Sequence, residues 1–169
     1  MLGGIVGLLY EGKINYCSNY GQVSSLNNEY EGRKRGGTSG GIVAECRKTN
    51  IEIDRVSNFG KVIGDANPGE SKEIAGGIAG VITSGKKNMV TNAYNKGIVQ
   101  SGGYNGEIIG YNNISEAISN CFYYKREESN LQGIGGSDNT EETYFSGTNG
   151  DSSYDYESLD EFLEKQNLK

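Results

Sequence analysis

The chain has 169 residues, the size of one domain, and only 34% of them are hydrophobic, which excludes a wide, round core. Glycine accounts for 27 residues, tyrosine for 12 and proline for 1, with no tryptophan or histidine; without a Gly-X-Y period this excludes collagen, and so little proline argues against a proline-rich linker. The 16 basic and 22 acidic residues leave a net charge of −6, which disfavours nucleic acid as a partner, and the lack of histidine removes most zinc sites and any Ser-His or Cys-His catalytic pair.

The opening MLGGIVGLLY has no basic start and no cleavage site, so it is not a signal peptide. No apolar run approaches the ~20 residues that span a bilayer, so no membrane insertion is expected. The chain enters a repeat at once. GGIVG at Gly3 returns as GGIVA at Gly40 and GGIAG at Gly76. Each is followed by a second shared block: INYCSNYGQV from Ile14, IDRVSNFGKV from Ile53 and VTNAYNKGIV from Val90. An eroded fourth copy, GEIIGYNNISEAISNCFYYK, begins at Gly106, and successive copies start 37, 36 and 30 residues apart.

Ile5, Ile42, Ile78 and Ile108 share one slot of the repeat; Ile14, Ile53, Val90 and Ile118 share a second, and Val23, Val62 and Val99 a third. Short β-branched segments bounded by glycine favour strands over helices. Each copy supplies about three short strands and cannot cover its own apolar face, so the copies must stack, with equivalent residues forming a continuous core. The expected fold is all-β: a parallel β-helix or β-solenoid of about four coils, residues 1–125. Asn19, Asn58 and Asn95 each stand two residues before a glycine, a turn signature. Stacked at one corner, their amides would bond from coil to coil, as identical asparagines do in ladders; a row presented to a ligand is the alternative.

The cysteines fit the same register. Cys17, Val56, Ala93 and Cys121 share a small slot, as do Leu9, Cys46 and Ile82, which points to buried free thiols behaving as modest hydrophobes. Ile14 and Cys17 are three residues apart, so both face inward only if a bend or bulge intervenes.

Two insertions follow the third slot of successive coils, SSLNNEYEGRKRGGTS (24–39) and IGDANPGESKEIA (63–75). They are expected to emerge on one side, and loops carry function more often than core strands. Tyr30, Arg33, Lys34 and Arg35 are therefore the candidate binding face, against the plainer reading of a solvated basic loop. GVITSGKK at 80–87 has the Gly-four-Gly-Lys spacing of a phosphate-binding loop, but Lys87 stands where a magnesium-holding Ser or Thr belongs. The same spacing recurs in GLLYEGK at 7–13, so it belongs to the repeat.

Residues 126–155 read as a glycine- and acid-rich connection; GIGGSDNTEET lacks the Gly-Asp nonapeptide spacing of a calcium loop. In 156–169, Leu159, Phe162 and Leu163 have helical spacing, and Ser158 with Glu161 forms a capping box, predicting a helix from about Ser158 to Asn167. That helix would lie over the last coil as a cap, or link to a further domain. The amino end has no candidate cap, and the chain reads as a fragment or terminal module of a larger protein.

GGIVGLLYEGKINYCSNYGQV at 3–23, GGIAG with VTNAYNKGIV within 76–99, and ISNCFYY at 118–124 resemble the GLUG-motif repeats of bacterial surface and secreted proteins. The second copy departs from the pattern, with Ala44 for Gly and Arg55-Val56 for Asn-Cys. The resemblance implies a β-solenoid, an extracellular or cell-surface location, and a stalk or adhesive role with a host or matrix protein or glycan as partner. It implies no enzyme, no cofactor and no metal, and it transfers no active-site residue. An enzyme on this scaffold would need clustered carboxylates, or a Lys or Arg base beside a calcium site; Asp54 and Asp65 are the acids near repeat strands worth naming, and neither recurs or pairs by spacing. A glycan-binding module would use exposed Tyr16, Tyr20 and Tyr94 to stack on sugar rings.

Overall fold

The computed structural model describes residues 1–25, 28–30, 33–64, 73–87, 89–138, 148–152 and 155–168, with 28–30, 33–35 and 148–152 as backbone. Coil 1 comprises β1 (Leu2–Gly3), β2 (Val6–Leu9), β3 (Gly12–Asn19) and β4 (Val23–Ser25). A hairpin of β5 (Asn28–Tyr30) and β6 (Arg33–Arg35) follows. Coil 2 comprises β7 (Thr38–Gly40), β8 (Val43–Cys46), β9 (Ile51–Asn58) and β10 (Val62–Gly64). Coil 3 comprises β11 (Ile74–Gly76), β12 (Ala79–Ile82), β13 (Val90–Asn95) and β14 (Val99–Gln100). Coil 4 comprises β15 (Tyr104–Gly106), β16 (Ile109–Asn112), β17 (Ile118–Ser119) and β18 (Cys121–Tyr124). A strand β19 (Thr148–Ser152) and one helix, α1 (Leu159–Lys165), complete the fold.

Equivalent strands pair in parallel, giving sheets ordered β1-β7-β11-β15, β2-β8-β12-β16, β3-β9-β13-β18-β19 and β4-β10-β14. The chain is a parallel β-solenoid. Each of the first three coils has four strands rather than the three expected, because the glycine pair makes a corner inside the segment that reads as one strand: β1 ends at Gly3 and β2 begins at Val6. The second glycine of the pair is also a packing requirement. A Cβ on Gly41 would stand 2.5 Å from Cγ of Asn58, so the asparagine corner folds flat against a residue without a side chain.

The interior is the expected column. Ile14, Ile53, Val90 and Ile118 are in register, as are Cys17, Val56 and Ala93, and all but the half-buried Cys17 are enclosed. Ile42, Ile78 and Ile108 have no exposed surface, whereas Ile5, at the open end of the stack, is 47% exposed. A left-handed residue supplies the bend required between Ile14 and Cys17: Tyr16, Arg55, Asn92 and Asn120, at equivalent places in four coils, have φ of 54°, 51°, 50° and 53°. The backbone reverses its alternation there, so residues three apart both point inward. Such a conformation costs a non-glycine residue on the order of 1 kcal/mol, least for asparagine, and the register of whole coils enforces it.

The coils extend past residue 125. Ile108 N and Ile109 N donate to the carbonyl of Gly133 at 2.8 and 2.9 Å, Asn112 N donates to Gly136 at 2.8 Å, and Ile134 is buried on the column. β19 then pairs in parallel with β18, with one register irregularity. The stretch read as a connection thus contributes a partial fifth rung.

Ser158 Oγ caps α1 by accepting from Glu161 N at 3.2 Å. The helix lies neither over the last coil nor free of the solenoid; it packs across the flank of the stack against β3, β9 and β13. Strand alternation explains this placement, since Tyr94 and its register partner Phe122 point outward and present a lateral apolar stripe. Phe162 stacks on Tyr94 at 5.5 Å between ring centroids, Tyr156 meets Tyr94 edge-on at 4.9 Å, and Leu159 and Leu163 are buried beside them. Arg55 Nε donates to the carbonyl of Leu168 at 3.3 Å, tying the end of the helix to coil 2.

Candidate functional site

The candidate basic face falls on the β5–β6 hairpin, whose register sets Tyr30 opposite Arg33, Glu29 opposite Lys34 and Asn28 opposite Arg35. The second insertion, over 65–72, lies outside the described residues, as does Asp65. The phosphate-loop spacing is a product of the repeat: residues 79–82 are the strand β12, and the next element after Lys87 is the strand β13, not a helix.

The asparagines form a buried ladder. Asn19 Nδ2 donates to Asn58 Oδ1 at 2.8 Å, and Asn58 Nδ2 to Asn95 Oδ1 at 2.9 Å. Each amide also donates to the carbonyl of its own glycine two residues on, at 2.8 Å for Gly21 and Gly60 and 3.0 Å for Gly97. Asn58 and Asn95 have no exposed surface, so the row is structural and is not presented to a ligand.

The run ends through a paired exchange that the eroded fourth copy conceals. Where earlier coils have a glycine that leaves room for the asparagine, coil 4 has Glu107; where they have the asparagine, it has Tyr123. Glu107 Oε2 accepts from Asn95 Nδ2 at 2.8 Å, and Oε1 accepts from Ser129 Oγ at 3.2 Å and meets Arg126 at 3.5 Å. Burial raises the Glu107 pKa, and the Arg126 charge opposes that rise only in part.

Beside the ladder runs a lateral groove built from two further repeat positions. The residues just after the ladder place are Tyr20, Phe59, Lys96 and Tyr124, and those two further on include Lys61, Ile98 and Arg126. Tyr20, Phe59, Lys61, Ile98, Tyr124 and Arg126 line a section of about 440 Å³. Past Ile98 it opens into a section of about 1000 Å³ between β10, β14 and residues 124–131. Tyr20 is 63% exposed and stacks on Phe59, with centroids 4.8 Å apart and planes 9° from parallel. Lys96 is held at the rim by Asp155 and Glu157 at 2.7 and 2.8 Å, and Arg126 lies 5.8 Å from the centre of the Tyr124 ring. Asn105 Oδ1, on a residue of the wider wall, is buried and accepts no donor among the described residues, while its Nδ2 is fixed on the carbonyl of Ser101 at 3.0 Å. A buried oxygen so placed is an acceptor for an internal water.

Of the three tyrosines expected to face sugars, Tyr16 and Tyr20 are exposed, with Arg55 5.3 Å from the Tyr16 ring. Tyr94 is not available: it is fully enclosed beneath α1. Sequence reasoning missed the groove because its members are spread over four coils and differ in type; only alignment of the copies brings them to one corner. Asp54 is engaged structurally, accepting from Thr91 Oγ1 at 2.7 Å and Asn92 Nδ2 at 2.6 Å and pairing with Arg55. Cys46 and Cys121 are buried, and burial pushes both thiols up to about 12, so neither is a thiolate near neutral pH. Among the described residues, no three or more Cys, Asp or Glu side chains gather as a metal site would require. No family model matches the chain, and no curated protein or solved structure matches it.

Proposed function

We propose that this chain is a non-catalytic structural and interaction module: a stalk or adhesive segment of a bacterial cell-surface or secreted protein. The observation that carries this reading is the continuity of the stack. One aliphatic column runs through coils 1 to 4, and an amide ladder joins coils 1 to 3 and ends on Glu107 of coil 4, so the parts form a short rod. The groups best suited to chemistry are taken up by structure: Asp54 by its three donors, and Cys46 and Cys121 by burial. The GLUG-like motifs support the surface location and a host or matrix protein or glycan as partner.

A second reading, a glycan-binding β-helix, is favoured by the groove. The exposed face of Tyr20 suits stacking on a sugar ring. One experiment separates these readings from an enzyme: incubate the chain with immobilised matrix proteins and polysaccharides, then analyse both retention and released fragments. Retention without shortened products is expected. Retention on polysaccharide that is lost in Tyr20→Ala selects the glycan reading, and released unsaturated oligosaccharides overturn the non-catalytic assignment.

A further inference from the structure

The amide ladder has a direction. Each rung's Nδ2 donates to the Oδ1 of the following rung, so every asparagine inside the run takes a proton from the coil before it and gives one to the coil after it. At the C-terminal side the run is closed, because Asn95 donates to the Glu107 carboxylate, which accepts and passes nothing on. Residues 132–136 and β19 cover the same side of coil 4.

The other side has no such closure. Asn95 Oδ1 takes two donors, Gly97 N at 3.1 Å and Asn58 Nδ2 at 2.9 Å. Asn19 Oδ1 takes Gly21 N at 3.1 Å, and coil 1 has no rung before it in the structure to supply the second; yet Asn19 is only 8% exposed. The backbone repeats the pattern. The carbonyls of Gly40, Gly76 and Gly106 each accept from the second glycine of the preceding coil at 3.1 Å, and those of Ile42, Ile78 and Ile108 accept in the same way. Gly3 and Ile5 hold the equivalent places in coil 1. All four sheets end on a coil 1 strand, and Met1, Leu2, Ile5, Tyr10, Tyr16 and Tyr20 are exposed there.

We infer that the coil 1 face is a docking surface for one further parallel rung of the same four-strand repeat, whose asparagine donates Nδ2 to Asn19 Oδ1. The occupant follows from continuity with the internal coil–coil interface, which fixes both the backbone register and the side-chain donor. A second copy of this chain does not fit. Head to head it makes the facing strands antiparallel, and neither copy offers a donor, since Asn19 Nδ2 is already used on Gly21 and Asn58; head to tail it meets the end that Glu107 closes. The inference stands on the fold and is independent of the stalk or glycan reading.

The test joins a copy of residues 74–103 ahead of Met1 of the full chain, which places a copied Asn95 over Asn19. The expected result is a rise in melting temperature of roughly 3 °C or more and about tenfold slower amide exchange over residues 2–20. The same extension carrying N95D in the added copy presents a second acceptor and is expected to lose most of both gains. Unchanged exchange over residues 2–20 would overturn the inference, as would equal gains from the N95D extension. Self-association of the unextended chain that protects coil 1 to the same degree would also overturn it, by naming a second copy as the occupant.

Discussion

Ile5 and Ile78 fill the same slot of the same motif, yet Ile5 is 47% exposed and Ile78 is fully enclosed. The two coils differ in the same sense elsewhere: Val6 is half-buried where its column partners Val43 and Ala79 are sealed, and Cys17 is half-buried where Val56 and Ala93 are sealed. Nothing in the local sequence separates these pairs. In a stacked fold each rung is buried by the rungs on either side, so a terminal coil receives half the cover of an interior one. The motif sets which residues point inward, and the neighbouring coils set how much that direction is worth.

The largest contrast is expected in thiol reactivity. At pH 8, alkylation should modify Cys17 while Cys46 and Cys121, whose pKa values stand at about 12, hold on the order of 10⁻⁴ thiolate in the folded state. Mass spectrometry of labelled peptides reads this directly. Equal labelling of all three in the folded chain would show that coil 1 is no more open than coils 2 and 4.

In denaturant unfolding, Ile78→Ala should cost about 2–5 kcal/mol, the range for deleting an enclosed aliphatic side chain, and Ile5→Ala less than about 1 kcal/mol. Similar costs at both positions would contradict the difference between the coils. The ladder offers a smaller version of the same contrast. Asn58→Ala removes the amide between two others and takes one buried hydrogen bond from each of Asn19, Asn95 and Gly60, for about 2–3 kcal/mol. Asn19→Ala, at the open end, should cost about 1 kcal/mol.

The smallest effect concerns pH. The folded chain binds the Glu107 proton more tightly than the unfolded chain does, because burial raises this carboxyl above its ordinary value near 4.5. Between that value and the raised one, stability falls as pH rises, since ionisation is easier in the unfolded chain. Glu107→Gln should flatten this part of the stability curve measured by thermal melting. A curve of unchanged shape would mean that Arg126 and Ser129 already offset the burial of the charge.

The parts of the fold that repeat were legible in the letters. The slots of Ile42, Ile53 and Val62 and the coil-to-coil amide ladder all emerge from aligning three copies, because stacking makes equivalent letters neighbours in space. The N-cap of Ser158 was legible too, being local, although Glu161 Oε2 accepts from Glu157 N and not from Ser158 N as a full capping box requires. Three features were not. The left-handed residues at Tyr16, Arg55, Asn92 and Asn120 carry no common side-chain signature, since the conformation is imposed by the register. The flank position of α1 depends on Tyr94 and Phe122, which alternation turns outward but whose cover arrives from 40 residues or more along the chain. The groove draws its members from all four coils and has no contiguous motif.

The sequence by itself determined the winding: glycine pairs for corners, β-branched residues for inward slots, and asparagines whose amides bond to their equivalents in the next coil. The tertiary structure alone decided how the stack ends. Glu107 in place of a glycine and Tyr123 in place of an asparagine look like decay of the motif when read in line. In space they stand at one corner, where the lost asparagine makes room for the carboxylate that terminates the ladder. A chain of letters records each substitution separately, and packing couples them because two side chains cannot share one volume.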